Sequence, residues 1–407
     1  MMSNVRSTGW LFAVPVDFRI AVARIRFSQH LLVQVQAEDV TGIGEGVLYR
    51  TPPHRVAGCF QRLVQLPLEH DDLLQASESE REAWMGRLVA ASPALAYAVD
   101  TALWDLRGKQ LGQRVVDLLG GPRRGRIPIT EQVFIRDWPA AEKELDAILS
   151  RGSRRIKVKI GTSPKADLEA VRRVRAFVGP EVEIRIDANR GYTPAEGGPL
   201  YRALADLGVL ALEEPLSTRD WSSLRRLRER LGVPVILDES ILSRDDLRAA
   251  IDEQAIDILN IKLTRVGGIS QAWRYAEICR EQGVQIAVGC SEDLGVGTAA
   301  ITHLAAALPE VHSVEGLGPR RLGFDLIAEP WTLRDGTLAL PEGPGLGVAL
   351  PEDWADRLPR RVRCFDLAES SWPLRFFSHY SRWFQRANNA VWRMWRRTRT
   401  WRGKIRG

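Results

Sequence analysis

The chain has 407 residues, of which 45% are hydrophobic and 27% are charged, a composition typical of folded globular proteins. This length predicts two or three domains, or one large barrel with an additional domain. No long apolar segment predicts a transmembrane helix, and the short apolar stretch from Trp10 to Val16 makes a poor signal peptide. The expected location is therefore cytoplasmic.

The cysteines, histidines and charged residues restrict the kinds of site that the protein can contain. The four cysteines and six histidines are dispersed without the spacing of a zinc site or a disulfide framework, so any metal would need oxygen ligands. The formal net charge is +6, but residues 371–407 hold ten arginines or lysines and no acidic residue. The other 370 residues therefore carry a net charge of −4, and the basic character belongs to a tail.

The N-terminal region predicts an α+β domain over residues 1–122. Segments 18–26 and 31–37 read as the strands of a hairpin, with the alternation clearest in the second. Residues 93–119 predict helix with an apolar stripe, and the Gly-Gly-Pro sequence at 120–122 ends the region. We expect this domain to pack beside the mouth of the domain that follows.

The middle of the chain repeats a strand–helix pattern, although its sequence does not repeat. Eight short apolar segments alternate with helical stretches, and their ends fall at steps of about 24–27 residues, the length of one strand, one helix and two loops. This pattern predicts an eight-stranded parallel (β/α) barrel over 123–345, an α/β fold. A return segment to the first domain is expected over 346–365. The predicted strands are 129–134, 155–160, 183–187, 209–213, 235–238, 257–262, 285–289 and 312–315.

Three carboxylates, Asp187, Glu213 and Asp238, end three consecutive predicted strands. In such barrels the chemistry lies at the carboxyl ends of the strands, and neighbouring strands are about 5 Å apart, so these side chains can meet. Three carboxylates at one point repel each other unless a cation lies among them. Oxygen-only ligands suit a hard divalent ion, Mg²⁺ above all.

Lysines flank this group on both sides. Lys157 and Lys159 are two residues apart on one strand and share a face, while Lys262 ends a strand beyond the carboxylates. Nearby cations and desolvation lower the pKa of a lysine until it can act as a base. The pattern therefore predicts removal of the α-proton of a metal-bound carboxylate substrate, with a base on each face and the metal stabilising the enediolate.

These motifs resemble the enolase superfamily, and within it the muconate lactonizing enzyme subgroup. The resemblance covers about residues 10–360 and is carried by IKVKIG at 156–161, IDAN at 186–189, LEEP at 212–215, LDES at 237–240 and NIKLTRVGG at 260–268. It implies a modified enolase-type barrel with an α+β capping domain, and a homo-oligomer. The implied roles are Mg²⁺ ligation by Asp187, Glu213 and Asp238, acid/base catalysis by Lys159 and Lys262, substrate-carboxylate binding by Lys157, and support of the site by Asn189, Asn260, Glu239 and Glu214.

Substrate specificity is expected to come from the capping domain and the last two strand ends. Arg24, in a predicted loop at 22–27, is a candidate partner for a distal anion. Glu292, Asp293 and Glu315 predict an acidic patch suited to an ammonium or amide group. The paired aspartates that dipeptide epimerases carry at strand eight are missing, and VEGLGP at 314–319 is more similar to the muconate lactonizing enzymes themselves.

Several functions remain open on the sequence. A racemase or epimerase of an amino-acid derivative or dipeptide is favoured, because lysines stand on both faces. A muconate-type cycloisomerase and an o-succinylbenzoate synthase-like dehydratase need only one active face. A non-catalytic barrel with a membrane-binding tail is the third alternative.

The C-terminal segment, 366–407, is not part of the resemblance. Within 371–407, aromatic residues recur at steps of three or four, and arginines mark another face. This pattern predicts a basic amphipathic helix. An anionic membrane surface at the inner face of the membrane, or a protein, is the expected partner, rather than nucleic acid.

Overall fold

The computed structural model describes residues 5–21, 23–48, 78–134, 136–359 and 365–366. The predicted amphipathic tail at 371–407 lies outside these residues. Among the described residues, no helix has both the length and the apolar content needed to cross a bilayer. The strands are β1 (Val5–Ile20), β2 (Ala23–Ala37), β3 (Val40–Val47), β4 (Arg126–Pro128), β5 (Glu131–Val133), β6 (Arg155–Lys159), β7 (Glu183–Asp187), β8 (Val209–Glu213), β9 (Val235–Leu237), β10 (Ile258–Lys262), β11 (Gln285–Gly289), β12 (Ser313–Val314), β13 (Thr337–Ala339) and β14 (Phe365–Asp366).

The helices alternate with the later strands, as the period of the sequence predicts. They are α1 (Glu78–Ala91), α2 (Pro93–Leu111), α3 (Val115–Leu118), α4 (Trp138–Ser150), α5 (Pro164–Val178), α6 (Pro194–Ala205), α7 (Trp221–Leu231), α8 (Arg244–Asp252), α9 (Leu263–Val266), α10 (Ile269–Glu281), α11 (Gly295–Ala307), α12 (Gly318–Leu322) and α13 (Trp354–Arg357). Side-chain caps start most of the longer helices; for example, Ser163 accepts from Ala166 N at the start of α5.

Strands β5 to β12 form one parallel sheet in sequence order, and the sheet curls into a barrel. A bridge between Ile129 and Val314, with Thr130 N donating to Val314 O at 2.7 Å, brings the two ends together. The α/β barrel fold is thus confirmed. Small and β-branched side chains fill the lower interior of the barrel, and they form a separate apolar cluster: Ala211, Ile236, Ile258 and Ala287.

An antiparallel sheet precedes the barrel, in the order β14-β1-β2-β3. The predicted hairpin exists, but the predicted turn position is wrong. The turn follows Ile20, and the segment at 27–30, expected between the two strands, lies within strand β2. Two polar residues of this segment, Ser28 and His30, are buried. His30 can lie inside the sheet because its Nδ1 is 3.0 Å from the Glu45 carboxylate on β3.

Helix α2 packs closely on β3. The glycines of β3 make this approach possible, because a Cβ added to Gly44 would lie 1.9 Å from the Ala98 carbonyl oxygen. The helix begins after Ser92, whose hydroxyl accepts from Leu95 N, and it ends at Gly112 in the left-handed conformation.

Buried polar groups join the N-terminal sheet and its helices to the barrel. Glu45 accepts hydrogen bonds from Leu294 N at 2.7 Å and Gly297 N at 2.9 Å, at the start of α11. Asp105 on α2 accepts from Ile43 N and Leu346 N, both at 2.8 Å. These bonds hold the sheet, α2 and the segment after the barrel in fixed relative positions at the barrel mouth.

Candidate active site

The three predicted ligand carboxylates lie on neighbouring strands. The register pairs Lys159 of β6 with Asp187 of β7, and Asp187 with Glu213 of β8. Asp238 follows β9 directly. The Asp187, Glu213 and Asp238 side chains are 0–1% exposed, so their charges need partners inside the protein.

Basic side chains supply those partners. Lys159 donates to Asp187, and the Lys157 ammonium lies 3.4 Å from Asp187 and 3.2 Å from Glu213. On the other side of the triad, Lys262 Nζ is 2.8 Å from Asp238 Oδ2. Because β6 and β10 flank β7, β8 and β9, the two lysines that end them approach the carboxylates from opposite sides.

The donor set fits a hard cation. Within the described residues, no three carboxylate, histidine or cysteine side chains gather at ligand distance around one point. However, the Lys157 ammonium contacts the carboxylates of both Asp187 and Glu213, so these two groups can share one positive charge. Their oxygens, with those of Asp238, are the hard ligands that Mg²⁺ prefers.

A buried network below the carboxylates changes the expected role of Glu315. Glu315 is 1% exposed, accepts from Lys157 at 2.6 Å and from Gln132 at 2.9 Å, and pairs with Arg185. It is therefore not part of an open acidic patch, as the sequence suggested, because two cations already neutralise it. Lys157 was expected to bind a substrate carboxylate. Its side chain is also fully buried, and its ammonium is paired with acids of the barrel interior.

The electrostatics of the network follow from burial and pairing. Burial lowers the pKa of Lys157, and Glu213 and Asp187 oppose this effect. For Glu213, burial would raise the pKa, but Lys157 and Arg185 outweigh it and hold the pKa below its ordinary value. Glu213 therefore stays ionised.

Asn189 and Asn260, expected to support the site, lie against its charged groups. Asn189 Oδ1 accepts from Lys159 Nζ at 3.1 Å, and its backbone N–H donates to Asp187 at 2.8 Å. Asn260 Nδ2 donates to Glu213 at 2.9 Å. Asn189 thus restrains the side chains of Lys159 and Asp187, and Asn260 restrains that of Glu213.

Glu239, the third residue expected to support the site, accepts from Asn189 Nδ2 at 3.2 Å. Burial, and then the charges of Glu214 and Asp187, raise the pKa of Glu239 to about 7. Its carboxyl group therefore adds less negative charge to the site than its neighbours do.

The structure places here two arginines to which the sequence analysis assigned no role, and also Glu214, which the resemblance named as a supporting residue. Arg185 pairs with Glu315, and Arg265 pairs with Asp238. Glu214 accepts from Asp238 N at 2.6 Å and from Ser240 N at 2.7 Å, and so fixes the loop after β9. Arg185 was detectable, because it precedes Asp187 by two residues on one strand and must share its face.

The other acidic residues expected at strand seven are also engaged. Glu292 forms an ion pair with Arg321 at 2.6 Å. Asp293 is 2% exposed and accepts from Ser291 N at 2.7 Å, and burial followed by the charge of Glu45 raises its pKa to about 6. These carboxylates shape the loop after β11, and they do not form an open patch with Glu315.

A cavity of about 960 Å³ opens beside Lys159. It lies between the end of the β1–β2 hairpin, the ends of β5 and β6, the first turn of α4 and the first three turns of α5. Arg24 lines this cavity but belongs to strand β2 rather than to a loop, and it donates to the exposed Asp17 at 2.6 Å. The cavity extends from the candidate catalytic lysine to the capping sheet.

Comparison with known proteins identifies the family. Residues 4–120 match the mandelate racemase/muconate lactonizing enzyme N-terminal domain, and residues 140–354 match the enolase C-terminal domain-like family. A chloromuconate cycloisomerase of Cupriavidus necator is 31% identical over 342 residues, covering 82% of this chain and 92% of that protein. An o-succinylbenzoate synthase of Geobacillus kaustophilus is 33% identical over 368 residues, covering 86% and 93%.

A solved structure agrees with this assignment. The N-succinyl Arg/Lys racemase of Bacillus cereus superposes with a TM-score of 0.76 at 25% identity, covering 89% of this chain and 100% of that one. The relatives are enzymes, and the family is in general Mg²⁺-dependent. The chain therefore belongs to the mandelate racemase/muconate lactonizing enzyme family of the enolase superfamily, in its muconate lactonizing enzyme subgroup, and is an enzyme of that superfamily.

Proposed function

We propose that this enzyme is an Mg²⁺-dependent racemase or epimerase that removes and returns the α-proton of an amino-acid derivative or dipeptide. The observation that carries the proposal is the placement of two lysines on opposite sides of the carboxylate triad. Lys159 pairs with Asp187 and Lys262 with Asp238. A substrate α-carbon between them has a base on one face and an acid on the other, which is what inversion of the carbon requires.

Asp187, Glu213 and Asp238 would hold the Mg²⁺. When bound, the ion supplies positive charge that stabilises the substrate carboxylate as negative charge develops on it. One lysine Nζ takes the α-proton, and the ammonium of the other returns a proton to the opposite face. Asn189 holds Lys159, and the loop fixed by Glu214 carries Asp238, so the acid and base keep their positions during the exchange.

Deuterium uptake tests this proposal. N-acyl amino acids and dipeptides, each offered as separate enantiomers or epimers in D₂O with Mg²⁺, should exchange their α-hydrogen. Lys159→Ala should stop exchange from one stereoisomer, and Lys262→Ala from the other, because each lysine faces one side. The matched control is Lys165→Ala, an exposed lysine on α5 that should exchange like the wild type.

The result that contradicts the proposal is unchanged exchange in the Lys159→Ala/Lys262→Ala double variant. Removal of divalent ions with a chelator should stop exchange, and addition of Mg²⁺ should restore it. Exchange that persists after chelation would exclude the carboxylate triad as a required metal site.

The second candidate is a cycloisomerase or an o-succinylbenzoate synthase-like dehydratase. Relatives bearing those names match most of this chain, at 31% and 33% identity. Such a reaction uses one active face. Turnover of a muconate, or β-elimination from a succinylated substrate, that survives one of the two lysine substitutions would favour this candidate over the racemase.

A further inference from the structure

The C-terminal tail, residues 371–407, has a charge that the rest of the chain does not share. It holds ten arginines or lysines and no acidic residue, whereas the other 370 residues carry a net charge of −4. The two family domains match residues 4–120 and 140–354, so the tail lies beyond both. None of the residues assigned to the candidate active site belongs to the tail. Its charge therefore calls for an explanation outside the reaction.

The order of residues in the tail separates apolar from basic side chains on a helix. At 3.6 residues per turn, one face takes the large apolar side chains and the opposite face takes four arginines. The apolar face holds Phe376, Tyr380, Trp383, Phe384, Val391, Met394 and Trp395. The basic face holds Arg375, Arg382, Arg386 and Arg393. With the period of two of a strand, Phe384 would instead share a face with Arg382 and Arg386.

These two faces have the chemistry of a bilayer surface. Five of the 13 tryptophans of the chain lie in these 37 residues, and tryptophan is enriched at the boundary between lipid and water. Arginines on the opposite face suit the phosphates of anionic lipids. From Arg375 onwards, basic residues recur at intervals of seven residues or fewer, too often for the apolar span of about 20 residues that crosses a bilayer. The pattern therefore favours a helix that lies in the plane of the surface.

The part of the chain that the structure describes offers little apolar surface to cover such a helix. Its well-exposed large hydrophobic side chains are Leu111, Leu210 and Leu242. Leu111 ends α2, Leu210 lies near the start of β8, and Leu242 lies beyond the end of β9. Because β8 and β9 are parallel neighbours, the last two lie toward opposite ends of the barrel. Leucines placed in this way form no continuous patch for an aromatic helix face.

The point of attachment keeps the tail away from the cavity beside Lys159. Strand β14, the last described part of the chain, pairs antiparallel with β1 at Trp10 and Leu11. The chain at Asp366 therefore runs away from the hairpin end at Ile20, close to the residues that line the cavity. Along β1, Trp10 lies ten residues, or about 30 Å, from Ile20. Binding to a surface through the tail thus does not require the cavity to be covered.

We infer that residues 371–407 bind the surface of a bilayer that contains anionic phospholipids, and so attach the enzyme to it. The aromatic face enters the interface, and the arginines contact the anionic headgroups. The rest of the chain, with its net negative charge, is repelled by such a surface, so the attraction comes from the tail. This inference goes beyond the proposed reaction and does not depend on the substrate.

The test is co-sedimentation of the full chain with lipid vesicles at low salt. The wild type should bind vesicles of phosphatidylcholine and phosphatidylglycerol in equal parts at least about 10-fold more tightly than vesicles of phosphatidylcholine alone. Each basic residue near an anionic surface strengthens binding about 5-fold, so the variant Arg382→Gln/Arg386→Gln/Arg393→Gln should bind the anionic vesicles about 100-fold more weakly. Trp383→Ser/Trp395→Ser should weaken binding about 10-fold or more, because it removes apolar area from the interface.

The matched control is Arg172→Gln/Arg202→Gln/Arg230→Gln, which removes three exposed arginines from α5, α6 and α7 and lowers the net charge equally. The control should bind like the wild type. Binding lost equally by the control and the tail-arginine variant would overturn the inference, because net charge alone would explain it. Equal affinity of the wild type and the tail-arginine variant would also overturn it.

A wild type that binds neither kind of vesicle, or both kinds equally, would overturn the assignment to anionic lipid. If, in addition, the tail-arginine variant has a smaller mass than the wild type by light scattering without lipid, the tail belongs to a contact between copies of the chain. The α-hydrogen exchange assay is separate from these measurements, so a failure here leaves the proposed function standing.

Discussion

Because His303 is buried, we expect the free energy of unfolding to fall as the solution becomes acidic. This histidine lies on α11 with no exposed surface, accepts from Val116 N at 3.2 Å, and has its Nε2 3.1 Å from Leu346 O. The pairing requires the neutral ring, with Nδ1 accepting and Nε2 donating. Burial lowers the pKa of His303 from 6.5 to about 4.

The sign and size of the effect follow from linkage. Between pH 6.5 and 4 the unfolded chain binds a proton at this histidine and the folded chain does not, so stability is lost as the pH falls. A difference of roughly 2.5 pKa units corresponds to about 3 kcal/mol of unfolding free energy at pH 4, and about 2 kcal/mol of it is already lost at pH 5. His303→Gln removes the titrating group.

The assay is urea unfolding of the wild type and His303→Gln at pH 7.5 and pH 5. The variant should be less stable at pH 7.5, and the gap should shrink by about 2 kcal/mol at pH 5. The difference between the two proteins is needed because burial raises the pKa of Asp100, Asp293 and Asp325 to about 6, which acts in the opposite direction. A gap that stays constant with pH would refute a neutral, buried His303.

Two further substitutions test how the capping region is held. Gly44→Ala should destabilise the protein by about 3 kcal/mol or more, because the new Cβ meets the Ala98 carbonyl oxygen. The control is Gly86→Ala, in open space on α1, which should be neutral or stabilising by about 0.5–1 kcal/mol. A thermal midpoint unaffected by Gly44→Ala would contradict the close packing of α2 on β3. Asp105→Ala should cost about 3–5 kcal/mol in urea unfolding, because it leaves two buried backbone N–H groups without their acceptor and removes the carboxylate partner of Lys109, which keeps only the Thr41 carbonyl oxygen. A loss below about 1 kcal/mol would show that this carboxylate does not hold the junction.

The barrel was predictable from the sequence because its signals are local. Strands β7, β8 and β11 begin and end at the predicted residues, since short β-branched segments bounded by polar residues mark each strand. The order of charged strand ends also placed Asp187 beside Lys159 and Glu213, because parallel strands at a fixed spacing bring successive ends together.

Where the structure differs from the sequence prediction, the reason is a contact between distant segments that a single sequence does not reveal. The turn before β2 was misplaced because His30 is polar in sequence, yet its partner Glu45 lies on the next strand. Glu315 was expected to face a substrate because nothing in its segment shows that Arg185 lies across the barrel interior. Charges at strand ends indicate a site, but the partner of each charge depends on contacts between distant segments.

The contact of Glu45 with the start of α11 has a consequence for how the enzyme is made. The two ends of this contact are 249 residues apart in the chain, so the ribosome must complete most of the protein before they meet. Until then, the buried Glu45 carboxylate has His30 beside it but lacks its two backbone donors, Leu294 N and Gly297 N. We therefore expect the cavity between the N-terminal sheet and the barrel to form late in folding, when the two dock in one cooperative step.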